Sequence, residues 1–154
     1  IQNNRKGVVI VVNKWDLVEK NTNSTKEYEE QIREKLAPFK DVPIVFTSAH
    51  TKQRVLKAIE IAEKVNYSRT KTIKTRELND VMLPIIEHSP PAALKGKYVK
   101  VKFITQLPTH APTFAFYCNL PQYVSESYMR FLENRLRENF DFEGVPIQLF
   151  MRKK

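Results

Sequence analysis

Glycine occurs only three times in 154 residues, at Gly7, Gly96 and Gly144. No two stand close enough to form a glycine-rich loop that wraps a phosphate chain. Cysteine occurs once, as Cys118, which excludes an internal disulfide. The three histidines, His50, His88 and His110, are isolated from one another. No Cys/His set at zinc spacing exists, and no histidine has a neighbour suited to acid–base work. No window approaches the ~20 apolar residues needed to cross a bilayer, and the N-terminus lacks the charged start and cleavage pattern of a signal peptide. The expectation is a soluble, cytoplasmic chain with no membrane partner and no structural metal. Cys118 lies in an apolar run with no base beside it, the setting of a buried, inert thiol.

An initiator Met is also missing, and Ile1 to Lys6 lead straight into an apolar run. That start suggests a sequence cut from something longer.

What is present is enough for real cores, at 42% apolar residues. The net charge of +9 favours polyanionic partners. It is unevenly placed: residues 1–68 carry 12 Lys/Arg against 9 Asp/Glu, and residues 69–154 carry 14 against 8.

The first half alternates strand and helix. Val8 to Val12 is a short continuous apolar run, as in a strand covered on both faces. Ser24 with Glu27 three residues later makes a capping box. Tyr28, Ile32 and Leu36 then recur at helical spacing, and Pro38 ends the helix. Val42 to Phe46 is a second buried strand, followed by the polar turn Thr47–Thr51. Val55, Ala58/Ile59, Ala62 and Val65 mark another helix. This order predicts a parallel βαβα unit, and two strands are too few for such a sheet. It therefore reads as the trailing end of a larger α/β domain.

Residues from about Ser68 to Thr75 are polar and read as a linker, with 69–74 as its centre. Beyond it, Leu78, Val81/Met82 and Ile85/Ile86 have helical spacing, and Pro84 is expected to kink or end that helix. Val99, Val101 and Phe103 alternate with Lys100 and Lys102 as a strand buried on one face. Phe114, Phe116 and Cys118 mark a second strand. Tyr128, Leu132, Leu136 and Phe140 line a helix from about Ser125, with Gly144 as a stop, and Ile147, Leu149 and Met151 form a final strand. The result is αββαβ: an α+β module over 75–154 with a three-stranded sheet and helices on one face.

Chemistry concentrates where the first apolar run breaks, at Asn13-Lys14-Trp15-Asp16. In parallel α/β sheets ligands bind beyond the carboxyl ends of strands. Thr47-Ser48-Ala49 stands at the same end of the next strand. Guanine presents N1–H and an N2 amine, two parallel donors that one carboxylate accepts, and adenine has no such pair. Asp16 would read that pair, Asn13 would pin the neighbouring loop, the stem of Lys14 would lie on the ring, and a backbone N–H near Ala49 would bond the base carbonyl. The plainer reading is a solvated loop after a strand.

Asn-Lys-x-Asp after a strand, with Ser48-Ala49 after the next, resembles the guanine-specificity elements of P-loop GTPases. That resemblance implies GTP/GDP as ligand, with Asn13, Lys14, Asp16, Ser48 and Ala49 as contacts. No Gly-x-x-x-x-Gly-Lys-Ser/Thr occurs, so the phosphate and Mg²⁺ elements are absent from this sequence. Asp141-Phe142-Glu143-Gly144 matches the Asp-x-x-Gly switch pattern but follows the guanine motifs instead of preceding them. It reads as coincidence, and the chain alone should not hydrolyse GTP.

The segments RELNDVMLPIIEHSPPAALKGKYVKVKFITQ, APTFAFYCNLP and SYMRFLENRLRENFDFEGVPIQLFMRKK, with the spacing between them, resemble the C-terminal region of the Der or EngA family of ribosome-assembly GTPases. In that family two tandem GTPase domains precede a KH-like domain. The resemblance makes residues 1–68 the last part of the second GTPase domain and 75–154 the KH-like domain. It implies partners in ribosomal RNA, the large ribosomal subunit and the upstream GTPase domains.

A standard KH domain clamps RNA with a Gly-x-x-Gly loop, and this sequence has none. RNA contact would fall to Lys95, Lys97, Lys100 and Lys102, or to Arg130, Arg135, Arg137 and Arg152–Lys154. Lys100 and Lys102 project from one strand face, and Arg130 and Arg137 share a helix face. A solvated polar face, or an intramolecular module that senses the nucleotide state of the GTPase domains, is the competing reading. Tyr98, Tyr117 and Phe150 stand on the strand phases opposite the core, where base stacking and packing under a helix are both open. A sheet lacking its first strands also exposes an edge, an invitation to self-association.

Overall fold

The computed structural model describes residues 5–19, 24–37, 39–94 and 96–154. The chain divides into two compact units, Ile1–Arg69 with Glu143–Pro146, and Thr70–Phe142 with Ile147–Lys154.

In the first unit, β1 (Ile10–Val12) pairs in parallel with β2 (Ile44–Phe46), Ile10 opposite Ile44 and Val12 opposite Phe46. The connection between parallel strands must cross over, and α1 (Ser24–Lys35) lies in it. The reading of Pro38 as the helix stop falls outside the described residues. On α1, Glu29 and Arg33, four residues apart, form an ion pair at 2.6 Å. The second helix, α2 (Val55–Thr70), runs into the start of the polar stretch read as linker and ends at Thr70, with Val65 and Ser68 buried along it. Only 71–74 separate it from the next helix.

Glu143–Pro146 belongs to this unit although it follows the last helix of the chain. Gly144 stands between the starts of the two strands: Val8 N–H donates to its carbonyl at 2.8 Å, and its own N–H donates to the Asp41 carbonyl at 2.8 Å. Its φ of +73° is left-handed, and a Cβ there would lie 2.6 Å from the Val8 carbonyl oxygen. Gly144 is thus a backbone bridge and not a helix stop. The preceding helix already ends at Asn139, where the Phe140 N–H donates to Leu136.

The second unit has the order α3 (Thr75–His88), β3 (Val101–Gln106), β4 (Thr113–Cys118), α4 (Glu126–Asn139), β5 (Gln148–Lys153). Its sheet is mixed, in the order β3-β4-β5, with β3 antiparallel and β5 parallel to β4. Leu78, Met82 and Ile86 of α3 and Leu132 and Leu136 of α4 bury one helix face each, in one core with Ile104, Phe114 and Phe116. The Ser125 hydroxyl caps α4 by accepting from Tyr128 N–H at 3.2 Å.

Pro84 does not end α3, which runs four residues beyond it. The carbonyl it deprives of a partner is that of Asp80, and both residues are on the exposed side, where water can satisfy it.

Three amide side chains act as substitute peptide groups in this unit. Asn79 accepts from Ile104 N–H at 2.8 Å and donates to Ile104 C=O at 2.7 Å, filling both positions on the outer edge of β3. Gln106 accepts from Ile73 N–H at 2.8 Å and donates to Lys71 C=O at 3.0 Å. Asn119 does the same between Lys100 N–H (2.8 Å) and Tyr98 C=O (3.0 Å). They pair backbone groups that no strand or helix reaches.

The phase of β3 differs from simple alternation. Val101 is opposite Cys118 and Phe103 opposite Tyr117, a register shift that leaves Lys102 as the extra residue of a bulge. Val101 and Ile104 therefore both face the core, and Phe103 is turned to the opposite face. There it stacks on Tyr117, with centroids 4.3 Å apart and planes 10° from parallel.

Candidate nucleotide cleft and basic surface

At the carboxyl ends of β1 and β2 the backbone stays paired past the strands. Thr47 N–H donates to Val12 C=O at 2.8 Å, and Trp15 N–H donates to Thr47 C=O at 2.9 Å. Trp15 is buried, tilted on Phe46 at 4.4 Å and edge-on to Tyr28 at 5.4 Å. This anchor explains why the apolar run breaks where it does: the indole is held inside, and Asn13, Lys14 and Asp16 on either side of it are exposed. Lys14 completes the turn in the left-handed conformation, φ 60° and ψ 32°, and leads into the single helical turn Trp15–Leu17. Such a conformation in a side-chain-bearing residue costs on the order of 1–3 kcal/mol and is held by its surroundings.

The Asn13 Oδ1 accepts the Ala49 N–H at 3.1 Å, a bond between residues 36 apart in sequence. Ser48 is fully buried and supports the second loop from within, accepting Thr51 N–H on its hydroxyl at 3.1 Å and donating its N–H to Gln53 C=O at 3.1 Å. Asn13, Lys14, Asp16, Leu17, Ala49 and His50 line an open cleft of about 380 Å³, the size range of small-ligand sites. Four of the five sequence-derived residues line it, and Ser48 lies behind as a brace. Leu17, 73% exposed, and His50 were not singled out from sequence. An exposed leucine two residues past a buried tryptophan is the feature that marks the place.

In the second unit Lys97, Lys100, Lys102 and Arg130 are exposed. Lys95 lies outside the described residues. The shared face expected for Lys100 and Lys102 is interrupted by the bulge, since Lys100 precedes β3 and Lys102 is its unpaired residue. Arg137 differs from Arg130. Its guanidinium is committed within the chain, donating to Glu133 Oε1 at 3.1 and 2.9 Å and to Phe142 C=O at 3.1 Å, with its side chain 12% exposed. Arg135 pairs with Glu138 and lies over the Phe131 ring at 5.3 Å.

Cys118 is buried, and desolvation pushes its thiol up, against the smaller downward pull of a backbone hydrogen bond at Leu120. It is a core side chain. Among the described residues no group of three His, Cys, Asp or Glu is placed to hold a metal ion, and no helix is long and apolar enough to cross a membrane.

A helix-covered mixed sheet of three strands, preceded by a parallel strand pair whose loops meet at one cleft, defines a KH-like module attached to α/β structure. Residues 72–152 match the KH-domain-like family of EngA bacterial GTPases, C-terminal, and the chain belongs to that family. Similar relatives, each named GTPase Der, come from Christiangramia forsetii (68% identical over 153 residues), Flavobacterium psychrophilum (61% over 153) and Porphyromonas gingivalis (53% over 155). The matches cover 99–100% of this chain and 35–36% of each relative. The chain thus spans about a third of the length of these relatives.

Proposed function

We propose that residues 1–68 are the guanine-recognising end of a GTP-binding domain in a longer GTPase that acts in assembly of the bacterial large ribosomal subunit, and that residues 75–154 are its KH-like, ribosomal-RNA-contacting part. The observation that carries the nucleotide reading is the bond from Ala49 N–H to Asn13 Oδ1. It ties the two loops that a guanine would touch into one rim by a bond within the chain, and a rim so held has less ordering cost to bear on binding. Asp16 on that rim supplies the carboxylate for the N1–H and N2 donors, and Lys14 the aliphatic stem. Phosphate and Mg²⁺ contacts belong to other parts of the longer protein. An open groove beside β1, lined by Val9, Val11, Ala58 and Val65, supports the same reading, because further strands of the domain would add at that edge. The relatives' name, GTPase Der, supports GTP as the nucleotide.

For RNA, the exposed Lys97, Lys100, Lys102 and Arg130 provide phosphate contacts that give affinity without sequence readout. Arg137 is excluded from that set by its internal bonds.

Calorimetric titration of the intact protein with GDP and ADP tests the nucleotide reading. GDP should bind and ADP should not, and Asn13→Ala should weaken GDP by about ten-fold through loss of the bond that joins the two loops. Equal affinity for the two nucleotides would overturn it.

A further inference from the structure

The sheet of the second unit has a face away from its helices, and the residues on that face are set by register. Across the three strands Phe103 is opposite Tyr117, and Tyr117 opposite Arg152; Thr105 is opposite Ala115, and Ala115 opposite Phe150. Phe103 and Tyr117 stack on each other at 4.3 Å. The Lys154 ammonium lies 5.2 Å above the Phe103 ring, and Phe150 is 43% exposed at the centre of β5. None of these paired positions holds an acidic residue.

A buried purpose for these rings is hard to sustain. The core of the unit is filled from the other face by Ile104, Phe114, Phe116, Leu132 and Leu136, all with no exposed surface. A bulge at Lys102 is needed to bring Phe103 out of the core phase, and bulges re-aim side chains. What results is two parallel rings, a third ring one register step along, and two cations at their border. An aromatic face turned away from the core accepts an unpaired base, and flanking cations pair with the phosphates.

We propose that this face is a stacking platform for unpaired nucleotides of RNA, with Tyr117 and Phe150 under the bases, Phe103 stacked behind Tyr117 as its support, and Arg152 and Lys154 on the backbone. The proposal rests on the RNA reading of the second unit and names its mode: stacking on an open sheet in place of the absent Gly-x-x-Gly clamp. It requires single-stranded RNA, because a duplex keeps its base faces covered.

The test compares the intact protein's binding to an oligouridylate of about ten nucleotides and to a paired RNA duplex, over a salt series. Phe150→Ala and the double variant Phe103→Leu/Tyr117→Leu are each expected to weaken single-strand binding about ten-fold or more, leave duplex binding unchanged and keep the salt slope. Ultraviolet crosslinking to uridine should label Tyr117 or Phe150 in the unaltered protein. Should the double variant fail to fold, the half-exposed Phe150 carries the comparison alone. Aromatic variants that bind the single strand as the unaltered protein does, with the salt slope intact, would overturn stacking and leave the phosphate contacts standing. Salt-indifferent or absent binding would overturn both. A change in sedimentation with RNA affinity unaltered would assign the face to protein packing and also overturn the proposal.

Discussion

The Val8 amide and the Gly144 carbonyl are hydrogen-bonded at 2.8 Å, and the Gly144 amide continues the bridge to Asp41. A four-residue piece that follows α4 in sequence thereby completes the strand starts of the first unit.

Gly144→Ala is the direct probe of that bridge. Its Cβ would meet the Val8 oxygen at 2.6 Å, Val65 Cγ2 at 2.9 Å and Pro43 Cδ at 3.0 Å, in a left-handed conformation. The expected loss is about 3 kcal/mol or more, read as a lower urea midpoint in the transition of the first unit. A midpoint within error of the unaltered protein would show that the bridge contributes little.

Asn79→Ala should destabilise the second unit by about 2–3 kcal/mol, because it leaves Ile104 N–H and C=O both without their partner on the edge of β3. Amide exchange at Ile104 should accelerate by the corresponding factor.

Arg137→Met separates structure from RNA contact. Removing the bonds to Glu133 and Phe142 C=O should cost about 1–2 kcal/mol of stability with RNA affinity retained. Lys100→Ala/Lys102→Ala should do the reverse, holding stability and lowering the salt slope of RNA binding by about 1 or more.

Tyr128 offers a pH signature. Its hydroxyl donates to Ser89 C=O at 2.8 Å, and desolvation pushes its pKa up from 10.0 to about 12. A raised folded-state pKa means that the stabilisation is complete below pH 10 and is lost as pH rises towards 12, since the unfolded chain releases the proton first. Tyr128→Phe should remove that part of the alkaline loss, measured as the difference in Tm between the two proteins from pH 9 to 12.

Much of this architecture is legible in side-chain periodicity. The core phases of β4 and α4 follow from Phe114, Phe116 and Cys118 and from Leu132 and Leu136, whose spacing matches one element period each. Three features are not legible. The bulge that turns Phe103 outwards leaves no mark in a run of alternating Val and Lys, because one inserted residue changes phase without changing composition. Helix α3 passes Pro84 because the freed carbonyl is on the wet side, a fact of burial and not of local sequence. Asn79, Gln106 and Asn119 look like ordinary polar residues until the backbone groups they pair are placed. At the cleft, strand ends and residue types single out Asn13, Lys14, Asp16 and Ala49, but the bracing role of Ser48 and the presence of Leu17 and His50 depend on how the two loops turn.

The most direct measurement concerns Asp16. In the intact protein, Asp16→Asn exchanges one acceptor for a donor, which suits the C2 carbonyl of xanthine and opposes the N2 amine of guanine. Calorimetry with GDP and xanthosine diphosphate should show the unaltered protein binding no xanthine nucleotide. The variant should bind one per chain, with its preference at this site shifted by about 100-fold or more. Undiminished GDP binding by the variant, with no xanthine nucleotide bound, would contradict the assignment of Asp16 and with it the guanine site.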